Sequence, residues 1–133
     1  MAQITTRQKD YTDLDLNFTA NPVTKDISVK IGPDAVARSI RNLVLTNFYD
    51  RPFRPFIGSN AQKLLFDNMD SSTSRLLENS IKEVIANFEP RATVLGVKVV
   101  ADIDNNGYTA KIAYRVNNRP EPFQVTLFLE RIR

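Results

Sequence analysis

The chain has no cysteine, no histidine and no tryptophan, and only four glycines in 133 residues. Without cysteine and histidine it cannot build disulfides, thiol catalysis, zinc centres, Ser-His-Asp triads or a histidine switch near neutral pH. The missing cysteine is compatible with a reducing compartment. No stretch approaches the ~20 apolar residues of a membrane span, and residues 1–20 hold no apolar core of a signal peptide. A strong charge bias is lacking too. There are 18 basic and 15 acidic side chains, a net charge of +3, and no two basic residues are adjacent. That is thin for a nucleic-acid groove. Chemistry is left to carboxylates, Arg, Lys, Tyr and hydroxyls, and no cofactor is implied.

What is present reads as one ordinary globular domain, 42% hydrophobic and 25% charged. Residues 1–10 are polar and expected to be loose. Asp13 to Phe18 alternates polar and apolar, the period of a half-buried strand, and Asp26 to Ile31 alternates again with Ile27, Val29 and Ile31 on one side. Gly32-Pro33-Asp34 opens a helix whose stripe is Val36, Ile40, Leu43, Val44 and Asn47, with Arg38, Arg41 and Leu45 off it. Residues 48–59 form a loop with two prolines. Ala61 to Met69 reads as a short helix carrying Leu64, Leu65 and Phe66. Ser71, Ser72 or Thr73 caps a longer one with the stripe Leu77, Ile81, Val84, Ile85 and Phe88. Glu78 and Lys82 make an i,i+4 pair on its solvent side, and Pro90 ends it.

The remainder is a three-stranded antiparallel meander. Leu95, Val97, Val99, Ala101 and Ile103 share a face of its first strand. Asn106-Gly107 makes the hairpin turn. Tyr108, Ala110, Ile112, Tyr114 and Val116 share a face of the second strand, and Phe123, Val125, Leu127 and Leu129 a face of the third. The expected class is α+β: an extended arm over 1–32, then a domain over 33–133 with helices packed on one face of the meander.

Four constellations could carry chemistry. Asp102 to Gly107 matches the first half of a calcium loop, but Ala113 stands where a bidentate Glu is needed, so it reads as a polar hairpin tip. The many carboxylates could supply a glycosidase pair, yet none is singled out. Arg51-Pro52-Phe53-Arg54-Pro55-Phe56 repeats with period three, as polyproline II would. That places Arg51 and Arg54 on one edge and Phe53 and Phe56 on another. The loop either pins itself to the core through its phenylalanines or docks a partner. Finally, Glu89 breaks the dipole rule by putting negative charge at a helix C-terminus. Extended backbone at Pro90 would project Glu89 and Arg91 to one side as a rigid pair of opposite charges, either an ordinary helix exit or a docking prong.

At these residues the chain resembles the small baseplate wedge proteins of contractile-tailed phages, also called sheath initiators, and the related component of type VI secretion baseplates. Three motifs carry the likeness: Arg51-Pro52-Phe53-Arg54-Pro55, then Gly58 with Leu65-Phe66-Asp67-Asn68-Met69, then Glu89-Pro90-Arg91. The chain departs from the family's pattern at Phe56-Ile57, where an acidic residue and Phe often precede the glycine. The resemblance implies a non-enzymatic structural protein of the virion tail baseplate, in several copies around the tail axis. Its partners would be the core bundle of other wedge proteins, the sheath subunits, and tube or hub proteins, with no nucleic acid or membrane. Glu89, Pro90 and Arg91, with Arg51, Pro52, Phe53 and Arg54, would dock it. The edge of the last strand, bearing Phe123, Val125, Leu127 and Leu129, would template the sheath by β-augmentation, with Arg131 and Arg133 blunting that edge in the free protein. Some family members are called lysozymes, so a peptidoglycan-cleaving enzyme is the alternative.

Overall fold

The computed structural model describes residues 10–131; the expectations for residues 1–9 and for Arg133 lie outside that range. The chain opens with a small antiparallel hairpin, β1 (Thr12–Leu14) and β2 (Val29–Ile31), in which Thr12 faces Ile31. Helix α1 (Pro33–Leu45) follows. Its N-cap, Gly32, has φ +62° and ψ −130°, a conformation closed to side-chain-bearing residues in practice. Pro33 then starts the helix, where its missing N–H costs nothing. Next come the loop, a single turn α2 (Ala61–Leu64), the long α3 (Ser71–Phe88), and a sheet of β3 (Ala92–Asp102), β4 (Gly107–Val116) and β5 (Pro122–Glu130) in that order.

The helices cover one face of the sheet. Val36, Ile40 and Val44 of α1 and Leu77, Ile81 and Ile85 of α3 meet Tyr108, Ala110, Ile112, Tyr114 and Val116 of β4 in one continuous core. Leu127 and Leu129 of β5 complete it, which bears out the α+β reading and the helical stripes. Leu45, off the α1 stripe, is exposed.

Several local expectations change. The α3 cap is Asp70, whose carboxylate accepts the N–H of Thr73 at 2.7 Å; a carboxylate at the positive end of the helix outcompetes the hydroxyls that follow it. Glu78 does not pair with Lys82; it accepts the N–H of Val99 at 2.9 Å and so covers part of the outer edge of β3. The helix expected over 61–69 is only one turn long, and Phe66 points to solvent. In β3, a bulge between Val94 and Gly96 adds a residue. Leu95 therefore falls on the outer face instead of beside Val97 and Val99, and Ile103 lies exposed in the hairpin connection.

The N-terminal hairpin differs most. Leu14 and Leu16 face solvent, whereas Asp15 is buried; Val29 and Ile31 also face out. The surface beneath this hairpin carries Arg38 and Arg91, so the carboxylates turn inward and the alternation is read with inverted sign.

The proline loop closes on itself. Asn47 and Ser59 form a parallel bridge. The Ser59 N–H donates to the Thr46 carbonyl at 2.8 Å, and its buried hydroxyl donates to the Val44 carbonyl at 2.7 Å. Gly58 presses against this neck: a Cβ there would lie 2.5 Å from the carbonyl carbon of Asn47.

Candidate functional site

Helix α3 ends with the Glu89 N–H donating to the Ile85 carbonyl. The Glu89 side chain does not project: the residue is 2% exposed. Arg91 donates to its two carboxylate oxygens at 2.7 and 3.0 Å, and from its other side donates to both oxygens of Asp13 at 2.9 and 3.1 Å. The Tyr11 ring lies 5.6 Å from the same guanidinium. The solvent-facing prong expected at 89–91 is thus corrected to an internal clamp holding the hairpin against the helix exit. A buried carboxylate at the negative end of a helix needs a cation, and Arg91 supplies it. Burial pushes the Glu89 carboxyl up, but hydrogen bonds from Arg91 and Ser39 and the Arg91 charge outweigh it and hold it below its ordinary value. The bonds to Glu89 and Asp13 raise Arg91 further, so the Glu89–Arg91 pair stays charged at neutral pH.

Asp15 makes a second anchor. It accepts from Thr19 Oγ1 at 2.8 Å, from the Asn17 N–H at 3.2 Å and from Arg38 at 3.1 Å. The Thr19 and Asn17 bonds, helped by the charges of Lys30 and Arg38, keep its carboxyl low. Asp13 and Asp15 were not singled out from sequence. Their signal is the i,i+2 spacing, which puts both carboxylates on one side of an extended segment.

Asp13, the outer member of the clamp, borders a cleft of about 760 Å³. Asp13, Leu14 and Leu16 of the hairpin, Arg38 of α1, Arg51, Arg54 and Phe56 of the loop, and Asn87 and Phe88 at the helix exit line it. The proline loop thereby meets the last residues of α3 around one opening, while Glu89, Pro90 and Arg91 themselves stand outside its lining. The loop is neither polyproline II nor pinned by its phenylalanines. Phe53 has φ +67° and is fully exposed, and Phe56 is largely exposed. Positive φ on a bulky residue is strained, and Tyr49 of the same loop shares it at φ +72°. Arg51 and Arg54 take part in no salt bridge among the described residues.

The third strand forms an edge of the sheet. Phe123, Val125, Leu127 and Leu129 all turn toward the helices, so what this edge presents is backbone. The Arg131 N–H donates to the Asn106 carbonyl at 3.0 Å, fixing the alternation. Odd-numbered N–H groups of β5 bond β4, and those of Gln124, Thr126, Phe128 and Glu130 point away from the sheet. Pro122 sits in the same outward set, where no donor is required. Arg131 does not lie along this edge; its guanidinium reaches back to the Phe66 carbonyl.

Nothing in the site has the form of an acid–base pair. A glycosidase acid needs a raised pKa, whereas the displaced carboxyls, Asp15, Asp70 and Glu89, all move down. Asp102 accepts the N–H and side-chain amide of Asn105, closing the hairpin tip. Among the described residues no group of three acidic side chains stands close enough to hold a metal ion.

Residues 32–121 match the family model described as baseplate wedge protein gp25. Baseplate wedge protein gp25 of Enterobacteria phage T4 is 28% identical over 116 residues, 87% of each chain. A crystal structure from Geobacter sulfurreducens, provisionally named a tail lysozyme, is 28% identical with a TM-score of 0.65, covering 71% of this chain and 88% of that one. The fold also recurs in the anti-feeding prophage baseplate at 20% identity and a TM-score of 0.64, covering 90% and 85% of the two chains. In the postcontraction pyocin R2 baseplate it recurs at 16% identity and 0.56, covering 89% and 98%.

Proposed function

The chain belongs to the gp25 family of baseplate wedge proteins, and from that premise we propose that it docks on its neighbours through the cleft between the helix exit and the proline loop. It is a structural component of a contractile-tail baseplate. The observation that carries the docking reading is that Arg51, Arg54 and Phe56 of the proline loop share one opening with Asn87 and Phe88 at the α3 exit and with Asp13, which Arg91 holds. Arg51 and Arg54, in no salt bridge among the described residues, offer cations, Leu14, Leu16 and Phe56 line the opening with exposed apolar surface, and Phe53 is exposed on the same loop. The Glu89–Arg91 pair supports that opening from behind, by holding Asp13 of its rim. The core bundle of the wedge is the proposed occupant. Replacing both loop arginines, Arg51→Glu with Arg54→Glu, is expected to leave the melting temperature of the free protein unchanged and to abolish its incorporation into particles. Normal incorporation would refute the cleft as the docking surface.

The second proposed contact is the free edge of β5, which would receive a strand of the first sheath ring. Removing the whole strand is a poor test, because Leu127 and Leu129 belong to the core. Thr126→Pro instead deletes one outward donor and is tolerated at an edge. It is expected to yield assembled baseplates without sheath; sheath of normal length would refute it. The role proposed is non-enzymatic. The name given to the Geobacter sulfurreducens relative raises a peptidoglycan-cleaving alternative, which predicts lysis of cell walls by the purified protein. The lowered carboxyl pKa values weigh against it.

A further inference from the structure

The meander has an outer face that no helix covers. Its side chains fall into rungs set by the strand register. Thr93 pairs with Arg115, Lys98 with Lys111, and Val100 with Thr109 across β3 and β4. Across β4 and β5, Lys111 pairs with Thr126 and Thr109 with Phe128. Two lysines therefore stand directly opposite each other in the middle of the face, with Arg115 on the same side. Like charges placed directly across a ladder are destabilising, and an acidic residue at either position would have been favourable. Glu78 reaches the edge of β3 at the Val99 N–H but forms no salt bridge with Lys98, and the carboxylates that these strands do carry on this face, Asp102 and Glu130, lie four residues beyond the lysine rung. That is about 13 Å, farther than physiological salt transmits charge. None of Lys98, Lys111 and Arg115 takes part in a salt bridge among the described residues. Around these cations lie the half-exposed side chains of Leu95, Val100 and Phe128.

We infer that the outer face of the meander is a further protein interface of the baseplate, and that its occupant is a protein surface presenting carboxylates to Lys98 and Lys111 beside apolar side chains for Val100 and Phe128. The apolar neighbours and the small number of cations fit a folded acidic surface better than a phosphate backbone, which is bound through many contacts. The face is separate from the cleft, and Lys111 is on the central strand, so its substitution leaves both the loop arginines and the outward donors of β5 in place. Failure of this inference and failure of the docking reading are therefore distinguishable.

A carbodiimide joins amines to carboxylates without a spacer and can be applied to purified particles. Cross-links from Lys98 or Lys111 to Asp or Glu of another baseplate protein are expected. Acylation of both lysines in intact particles as fast as in the free protein would overturn the inference. So would protection of the lysines with no carboxylate cross-link. Lys111→Glu supplies an independent test with opposite signs. It is expected to raise the melting temperature of the free protein by about 1–4 °C, by turning a repulsive rung into an attractive one, and to lower incorporation into particles at least tenfold. A stabilised variant that incorporates normally would show an ordinary solvated face. Salt-sensitive binding of duplex DNA by the free protein, lost in Lys111→Glu, would overturn the protein assignment.

Discussion

The body of the molecule and its N-terminal hairpin are held by different forces. In the body, aliphatic and tyrosine side chains from α1, α3 and all three sheet strands exclude water from one core. In the hairpin the apolar side chains Leu14, Leu16, Val29 and Ile31 look outward, and attachment falls to carboxylates: Asp10 on Arg119, Asp13 on Arg91 and Asp15 on Arg38. Tyr11 is its main apolar anchor. Apolar packing is indifferent to pH and salt to a first approximation, whereas ion pairs are sensitive to both. Conditions that spare one region should therefore release the other.

The largest effect belongs to the body. Ile81→Ala opens a cavity in the centre of the core and should cost about 2–5 kcal/mol. The loss should appear as a cooperative fall in melting temperature, with hairpin and body unfolding together. Arg91→Met comes next. It leaves Glu89 buried without its cation and frees Asp13, at a cost of about 3 kcal/mol. Hydrogen exchange should show residues 11–31 deprotected before the sheet; uniform deprotection would erase the distinction between the regions. Adding Glu89→Gln to Arg91→Met should recover part of the loss, because the stranded charge is gone.

Acid sharpens the comparison. Glu89 and Asp15 have folded pKa values below their ordinary 4.5 and 3.8. A depressed carboxyl stabilises the fold fully above the unfolded value and loses that contribution as pH falls through the folded one. Amide exchange at constant intrinsic rate should therefore show the hairpin loosening below about pH 4, while the β4 amides stay protected. The smallest effect is expected for Arg119→Ala, whose pair with Asp10 is more than a third exposed on both sides. Less than about 1 kcal/mol should be lost, and that loss should vanish at high salt.

Legibility in the sequence follows the same division. The helical stripes of α1 and α3, the meander and the face of Tyr108 to Val116 were readable because apolar periodicity and burial coincide there. Periodicity failed where something other than apolar burial set the register. At Leu95 a bulge shifted the alternation. In the hairpin the aspartates took the inner face because arginines waited beneath it. The motifs at 51–56 and 89–91 were visible as motifs, but the cleft that the proline loop shares with the α3 exit and the hairpin was not, since it depends on how α1, α3 and the loop pack. Asp13 escaped notice because its partner lies 78 positions away.

The pinched base of the proline loop has one more consequence. With Asn47 and Ser59 joined and Gly58 leaving no room for even a methyl group, the intervening stretch is tied off like a bag at its drawstring. Its contents can be exchanged between related chains, lengthened or tagged at Phe53 without pulling on α1 or the sheet. Loop sequence and folding can thus diverge independently, provided the knot itself is left alone.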